Sequence, residues 1–572
     1  MTRTRRITVR YSGGTSGSGP LTLGQDNMIR CIHRDDPEQI NKQALWPVPD
    51  GTELSAALDA LRTLAERHES LRTVFPPGPD GFPARQEVRA EGEFAVTEVE
   101  AGPLDDRELD ALADELARED MTVRFDLAED FPLRFTLVTR EGRPVRMAVV
   151  VCHSGADGAA TALLVQEWLA LVAGKELPPS SARTPLEVAA SEGSALGRRR
   201  AKTSLRHWER VLRTSPQAVF ADSRIVGPPD AVSVLILRSR AAAADLEAAS
   251  RRTGATPSTV LLAAFAALVA HRADQSDLVI AALSANRHRP GLADYIGTLA
   301  QDAFLAVDAG ADDLDELIGR TKAASLAGYW HSSFDAEQVW RMIDDIGHLR
   351  GSRYARHVVV NDLSLTIPES ASDGRPPAAS DPEIGWFPDE RIPTRLMFNI
   401  IRVGGSLEIA LLTCPQVLDR AETEQFARGL LAIIAAAADG PLPLADIGAL
   451  TGVRPGVREG DWQVVGGSWI DLAAVRALLA SVLDENVRVR VDTDGGRLTA
   501  HLAGADVGDL TPLQVHRAVV EALPGRDTAM APQHYVIHRG DPGSPDGWDV
   551  LPVAAEGSGR DASVTDWAAL LA

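Results

Sequence analysis

The sequence predicts an α/β protein of α+β character, built from several packed lobes. Three observations lead there. The chain has 572 residues, more than one hydrophobic core usually organises. Short apolar strands alternate with helical stretches along most of its length. Two proline-bearing breaks, at about 174–200 and 441–460, divide it into thirds with their own element patterns.

In chain order, residues 1–20 read as a flexible lead-in, because 11–20 (YSGGTSGSGP) is rich in Gly and Ser. Leu54, Leu58, Leu61 and Leu64 recur at helical spacing, so 53–67 reads as an amphipathic helix. Residues 131–138 (FPLRFTLV) and 145–152 (VRMAVVVC) read as strands, the second more buried. An apolar helix spans 159–172, so His153 to Gly158 occupy a strand-to-helix loop. The second lobe opens with a basic helix near 198–213. Helix 257–272 follows, with Thr256 as N-cap and Pro257 in its first turn. Then come strand 278–284, the loop Ala285-Asn286-Arg287, the stretch 358–365 (VVVNDLSL), and strands 394–403 and 406–413 around a two-residue Gly404-Gly405 turn. Helix 420–438 stops at Gly440-Pro441. The last unit shows helix 471–482, strands 486–492 and 497–503 about Asp494-Gly495-Gly496, and helix 511–523. The expected organisation is a lead-in 1–20, a first lobe 21–185, a second lobe 186–445, a linker 446–460 and a small α+β domain 461–572.

Composition narrows the function classes. The chain carries 58 basic and 80 acidic side chains, a formal net charge of −22, which disfavours nucleic acid or an anionic membrane as the main partner. One local exception is Arg198-Arg199-Arg200 with Lys202, Arg206 and Arg210. No apolar run has the roughly 18–20 residues of a membrane span. The basic N-terminus lacks the apolar stretch of a signal peptide, so a cytoplasmic location is expected. Cys31, Cys152 and Cys414 are too few and too scattered for a disulfide framework or a metal cluster, and no metal is expected.

The string that suggests chemistry is Cys152-His153-Ser154-Gly155-Ala156-Asp157-Gly158. Acyl transfer to an amine or hydroxyl needs a group of near-neutral pKa to take the nucleophile's proton. A His at a strand end can supply it, and an Asp four residues on can hold the loop through an ion pair. The rival reading is a buried His satisfied by backbone, followed by an ordinary Asp-Gly turn.

Further matches weigh against that rival. Arg67-His68-Glu69-Ser70-Leu71-Arg72-Thr73-Val74-Phe75 resembles the RHExLRTxF motif of the condensation domains of non-ribosomal peptide synthetases. Leu21 to Gln25 resembles their opening motif, and His153-xxx-Asp157-Gly158 their HHxxxDG motif. Ala285-Asn286-Arg287 with Ile296-Gly297 is similar to the segment whose arginine pairs with the motif aspartate. The order holds over about 10–445. The resemblance implies two chloramphenicol-acetyltransferase-like lobes in a V with a central tunnel. It implies a catalytic set of His153 as base or orienting group, Asp157 paired with Arg287, and Gly158 at the reacting thioester. Arg72 and Cys152 would be structural support, with His68 bracing beside Arg72. Gln25, Gln301, Asp302 and Trp386 are tunnel-lining candidates. The implied reaction joins an acyl group, carried in trans on the phosphopantetheine arm of a carrier protein, to a small amine, with no bound cofactor. Ester formation, acyl-CoA as donor, and a non-catalytic carrier-recruitment role are the alternatives.

Two departures stand out. Cys152 replaces the first motif His and is expected to face the core. Ala300-Gln301-Asp302 replaces the usual Val-Asn-Thr, so Gln301 and Asp302 either read a polar acceptor or form an exposed strand face. The last unit resembles the small C-terminal subdomain of adenylate-forming enzymes, through Gly466 to Ile470 and Pro545 to Asp549. Trp548 stands where that family has its activating lysine, so ATP-dependent activation is not expected.

Overall fold

The computed structural model describes residues 3–229, 231–364, 381–505, 507–561 and 564–571. Leu365, the last residue of the stretch 358–365, lies outside the described residues. The chain forms two compact units: Met1–Thr203 with Ser284–Gln301 and Ser333–Glu337, and Ser204–Leu283 with Asp302–Ser332 and Gln338–Ala572.

The first unit is built on a five-stranded sheet in the order Arg3–Ser12, Glu91–Glu100, Leu133–Arg140, Arg143–Val151, Lys42–Trp46. Only the pair Glu91–Glu100 and Leu133–Arg140 is parallel; the other neighbours run antiparallel. Helices Leu54–Arg67 and Gly158–Val172 cover one face, where Leu61, Leu64, Leu164 and Trp168 pack on Phe135, Met147 and Val149. Helix Asp106–Met121 covers the other, through Leu109 and Ala113 against Val138.

The expected flexible lead-in is corrected here. Residues Arg3–Ser12 form the edge strand, paired from Arg3↔Glu100 to Ser12↔Glu91, and Gly17–Pro20 pairs with Arg85–Val88. The alternation in ITVRY drives this, since Val9 and Tyr11 point inward and are buried. The boundary at 185 also moves. Helix Pro185–Glu192 belongs to the first unit, where Gln86 Nε2 donates to Pro185 O and Leu23 N–H donates to Glu192 Oε2.

The second unit centres on a seven-stranded sheet, ordered Gln301–Asp308, Asp277–Ser284, Val358–Asp362, Leu396–Arg402, Leu407–Thr413, Val232–Ser239, Glu383–Glu390. Helix Pro257–Ala273 is buried along most of its length, which explains its near-uniform apolarity. Its start is as expected: Thr256 accepts from Thr259 N–H, and Pro257 sits in the first turn. The Gly404-Gly405 connection is longer than expected. The strands stop at Arg402 and Leu407, and the register shifts between Ile400 and Arg402.

Residues 446–460 are not a free linker. Val453 joins the lobe core, and Arg458 donates to Ala221 O and pairs with Asp274. The small α+β region that follows has the sheet order Arg488–Asp494, Arg497–Gly504, His534–Arg539, Val553–Gly557, with helices Leu472–Val482 and Pro512–Glu521. It is pinned to the rest of its unit. Asp527 accepts from Arg395 at 2.8 Å and from His357 at 2.7 Å, Gln217 N–H donates to Ser468 Oγ, and Trp567 Nε1 donates to Asp345. No single described helix is long and apolar enough to cross a membrane.

Candidate functional site

The site grows from the end of strand Arg143–Val151. Its run of Val149, Val150 and Val151 is fully buried, and the chain must leave the sheet without exposing them. It does so in one tight turn, in which Cys152 O accepts from Gly155 N–H at 3.1 Å. Gly155 is required there. A Cβ on it would lie 2.4 Å from Pro132 Cβ.

His153 projects from this turn, half-buried. Its Nδ1 lies 3.2 Å from Ala156 O. A carbonyl only accepts, so Nδ1 carries the hydrogen and Nε2 keeps a free lone pair. Desolvation, and then the charge of Lys42, lower the ring's pKa to about 4, with Asp157 opposing them. The imidazole is therefore neutral across the neutral range. A ring this weakly basic is better suited to orienting a nucleophile's N–H than to holding its proton for long.

Asp157 closes the loop and opens the next helix. It is the N-cap of Gly158–Val172, with its carboxylate accepting from Ala160 N–H at 3.0 Å. The same carboxylate, only 2% exposed, meets Arg287 in a two-pronged pair with both contacts at 2.8 Å. It also accepts from Leu299 and Ala300 N–H at 2.9 and 3.1 Å. Every face of this buried charge is compensated, the condition under which such a pair persists. Arg287 in turn donates to Tyr295 O and Gly297 O, so the 284–301 segment is sewn to the His153 loop. Ser70 reinforces it, donating to Ile296 O at 2.6 Å. A Cβ placed on Gly158 would meet nothing within 4 Å, so the helix start faces open space. Its first N–H groups have no intrahelical acceptors.

The residues just described sit within one stretch of fold that a family profile also spans: the condensation-domain profile matches residues 31–447. The chain belongs to the condensation-domain family. Among curated relatives, it is 31% identical over 261 residues to phosphinothricin tripeptide synthetase PhsC of Streptomyces viridochromogenes, covering 44% of this chain and 24% of that one. Cyclosporin synthetase simA of Tolypocladium inflatum is 27% identical over 325 residues, 53% of this chain and 2% of that one. This chain thus matches a small part of much longer relatives. Among solved structures, SgcC5 from Streptomyces globisporus gives a TM-score of 0.57 at 20% identity, covering 74% of this chain and 100% of that one. The X-domain from teicoplanin biosynthesis gives 0.57 at 22%, covering 75% and 96%. These likenesses show the fold.

Within this condensation domain, the remaining expected residues fall in different places. Cys152 holds the first motif position and is buried among Ile32, Phe125 and Val150. Its thiol lies 3.1 Å from Ser154 Oγ, and burial pushes its pKa up. It is a core thiol, not a nucleophile. Arg72 donates to Thr15 O and Arg89 O, and His68 Nε2 lies 2.6 Å from Glu167, so both brace the lobe.

The four lining candidates all have partners within the fold. Gln25 is buried in a capping box, its Oε1 accepting from Thr22 N–H and its Nε2 donating to Gln86. Gln301 is 3% exposed, and its amide is taken up by the backbone of Phe334, donating to O and accepting from N–H. It is neither an exposed face nor a free reader of substrate. Asp302 is committed to a two-pronged pair with Arg356 at 2.8 Å. Trp386 lies on edge strand Glu383–Glu390, with Arg420 over its ring and its Nε1 donating to Glu424. Each of these polar groups is satisfied by its own neighbours, as buried polar groups must be.

The reading from motifs missed Gly155, Ser70, and the Leu299 and Ala300 amides. Gly155 had a signal, a glycine inside the tight loop. The amides had none, because backbone donors leave no trace in residue identity.

Proposed function

We propose that this condensation domain joins an acyl or aminoacyl group, presented as a pantetheine thioester on a separate carrier protein, to an amine, forming an amide. The carrying observation is His153 held as the Nδ1–H tautomer by Ala156 O, on a loop locked by Asp157 and Arg287. In the proposed step the amine nitrogen attacks the thioester carbonyl while its N–H is held by His153 Nε2. The C–N bond forms, the C–S bond breaks, and the nitrogen's proton leaves through His153 to the pantetheine thiolate. The N–H of Gly158, at the open helix start, is assigned to the carbonyl oxygen. The phosphopantetheine arm is part of the substrate, so no further cofactor enters the step.

Two observations bear on alternatives. SgcC5 was solved in complex with an ethanediol derivative, which favours keeping a hydroxyl acceptor, and hence an ester, as a second product class. An X-domain of the same fold was solved in complex with OxyB, so a recruitment role is the rival outcome. The deciding experiment is intact-protein mass spectrometry of an acyl-loaded carrier, incubated with candidate amines and with wild type or His153→Ala. Acceptor-dependent loss of the acyl mass with wild type alone, together with a new amide, supports the proposal. Equal slow loss with both proteins, while the carrier still binds, overturns it in favour of recruitment.

A further inference from the structure

Helix Pro185–Glu192 lies where the opening motif meets the segment that locks Asp157, all within the first unit. Val188 packs with Leu292, Tyr295 and Leu299 of the lock segment. Leu186 fills the space that a side chain on Gly17 or Gly19 would need, on the strand leading into Leu21 to Gln25. The helix ends on Glu192, whose carboxyl crosses to the first turn of helix Leu23–Arg34 and accepts from Leu23 N–H at 2.8 Å. An acid placed there meets an N–H group with no intrahelical acceptor and the positive end of the helix dipole. Among the described residues, no cation stands within salt-bridge distance of this carboxyl. Nothing in the proposed reaction uses it.

The Leu23 turn bears on the loop that holds His153. A Cβ on Gly24 would lie 2.4 Å from Thr298 O and 3.0 Å from Leu299 Cα, so the two backbones are in contact. Gln301 Nε2 reaches Leu23 O at 3.4 Å. Leu299 and Ala300 supply the N–H groups that hold the Asp157 carboxylate. Gly297 O, one turn of chain away, accepts from Arg287 and from Asp157 N–H. Contacts therefore run from Glu192 through Leu23 and Gly24 to Leu299 and Asp157.

We infer that Glu192 is a positioning residue for the condensation step: it clamps the Leu23 turn against Thr298 and Leu299, and so fixes the amides that orient Asp157 and the His153 loop. This rests on the acyl-transfer reading above and adds a residue to it. Two opposed effects make the clamp visible. Desolvation raises the pKa of Glu192 from an ordinary 4.5 to about 7, against the Leu23 N–H and the Arg289 charge. The other titratable group that feels it is the Tyr295 phenol, which burial, and then the Glu192 charge, keep neutral. Because the folded-state value is raised, the stability Glu192 contributes is complete below about pH 4.5 and is lost as pH rises through about 7. The bond to Leu23 runs the other way, since a charged acceptor holds an N–H more strongly than a neutral one. Ionisation thus lowers stability while tightening the clamp.

The test compares the full chain with Glu192→Gln, which keeps an oxygen for Leu23 N–H but no charge, and with Glu192→Ala, which keeps neither. Octanoyl-loaded acyl carrier protein is the donor, and a panel of amines supplies the acceptors. At about pH 8, Glu192→Gln should melt no lower than wild type, yet turn over about 3- to 10-fold more slowly at unchanged KM. Glu192→Ala should be slower still. The wild-type kcat should rise as pH increases through about 7, and that step should vanish in Glu192→Gln. Hydrogen–deuterium exchange of residues 297–300 should be faster in both variants, with or without substrate. Glu192→Gln alone carries each readout where Glu192→Ala does not fold. Unchanged exchange at 297–300 overturns the clamp, whatever the rates. Faster exchange with wild-type kcat and pH profile overturns the positioning role. A rate that falls only in step with the melting temperature assigns Glu192 to stability alone and also overturns it. Absence of turnover by wild type with every amine overturns the proposed reaction instead; faster exchange in the variants then still supports the clamp.

Discussion

Replacing Asp527 with Ala tests whether the C-terminal region is a mobile appendage or a built-in part of its unit. Arg395 is 0% exposed, and its guanidinium meets Asp527 Oδ2 at 2.8 Å. His357, 4% exposed, reaches the same oxygen at 2.7 Å. Removing the carboxylate leaves a buried cation uncompensated, which typically costs about 3–5 kcal/mol. The carboxyl's acidity gives a second view of the same interaction. His357 and Arg395 outweigh desolvation and hold its pKa at about 2, against 3.8 for a free Asp. At about 1.4 kcal/mol per tenfold change in proton affinity, this is roughly 2.5 kcal/mol. The two figures agree in scale.

Because the folded-state pKa is depressed, this stabilisation is complete above about pH 4 and disappears as pH falls toward 2. Wild type should therefore lose it across that window, and Asp527→Ala should not. Tryptophan fluorescence during denaturant unfolding is a suitable assay, because Trp469 donates to Asp274 O and Trp567 to Asp345 across the same junction. Limited proteolysis should release the C-terminal region from the variant sooner. An unchanged unfolding midpoint at pH 7, with unchanged proteolysis, would refute the assignment of Asp527 as the pin.

Other consequences concern the loop. His153→Ala should lower turnover about 10²- to 10⁴-fold while carrier affinity is kept, and in wild type the acid limb of kcat/KM should fall as pH drops through about 4, where the ring protonates. Arg287→Ala should destabilise the first unit by about 3–5 kcal/mol, since Asp157 is left charged and buried; Arg287→Lys should recover only part, lacking the two-pronged contact, as thermal melts would show. Gly155→Ala forces a 2.4 Å contact with Pro132 and should cost about 1–3 kcal/mol with a parallel loss of activity, read by melting and turnover on one preparation.

What was legible in the sequence was local or carried by an ordered set of motifs. The Thr256-Pro257 helix start follows from capping chemistry, and the strand ending at Cys152 follows from its apolar run. The Asp157–Arg287 pair followed only from the family resemblance, since 130 residues separate the two. Some errors were also local. Thr22 and Gln25 have capping-box spacing, and residues 7–11 alternate, so the role of Gln25 and the edge strand were both readable.

The remainder belonged to the tertiary structure. Gln301 and Trp386 looked available because residue identity does not say which distant partner satisfies a polar group. Nothing in the linear pattern places Asp527 beside Arg395, 132 residues away. The acidity of His153 is of the same kind. Its type fixes an ordinary value of 6.5, and only desolvation by the folded loop and the nearby Lys42 charge bring it to about 4. Periodicity and capping act between neighbours and are written in the chain. Burial and charge pairing depend on which distant segments meet, and those meetings exist only once the chain is folded.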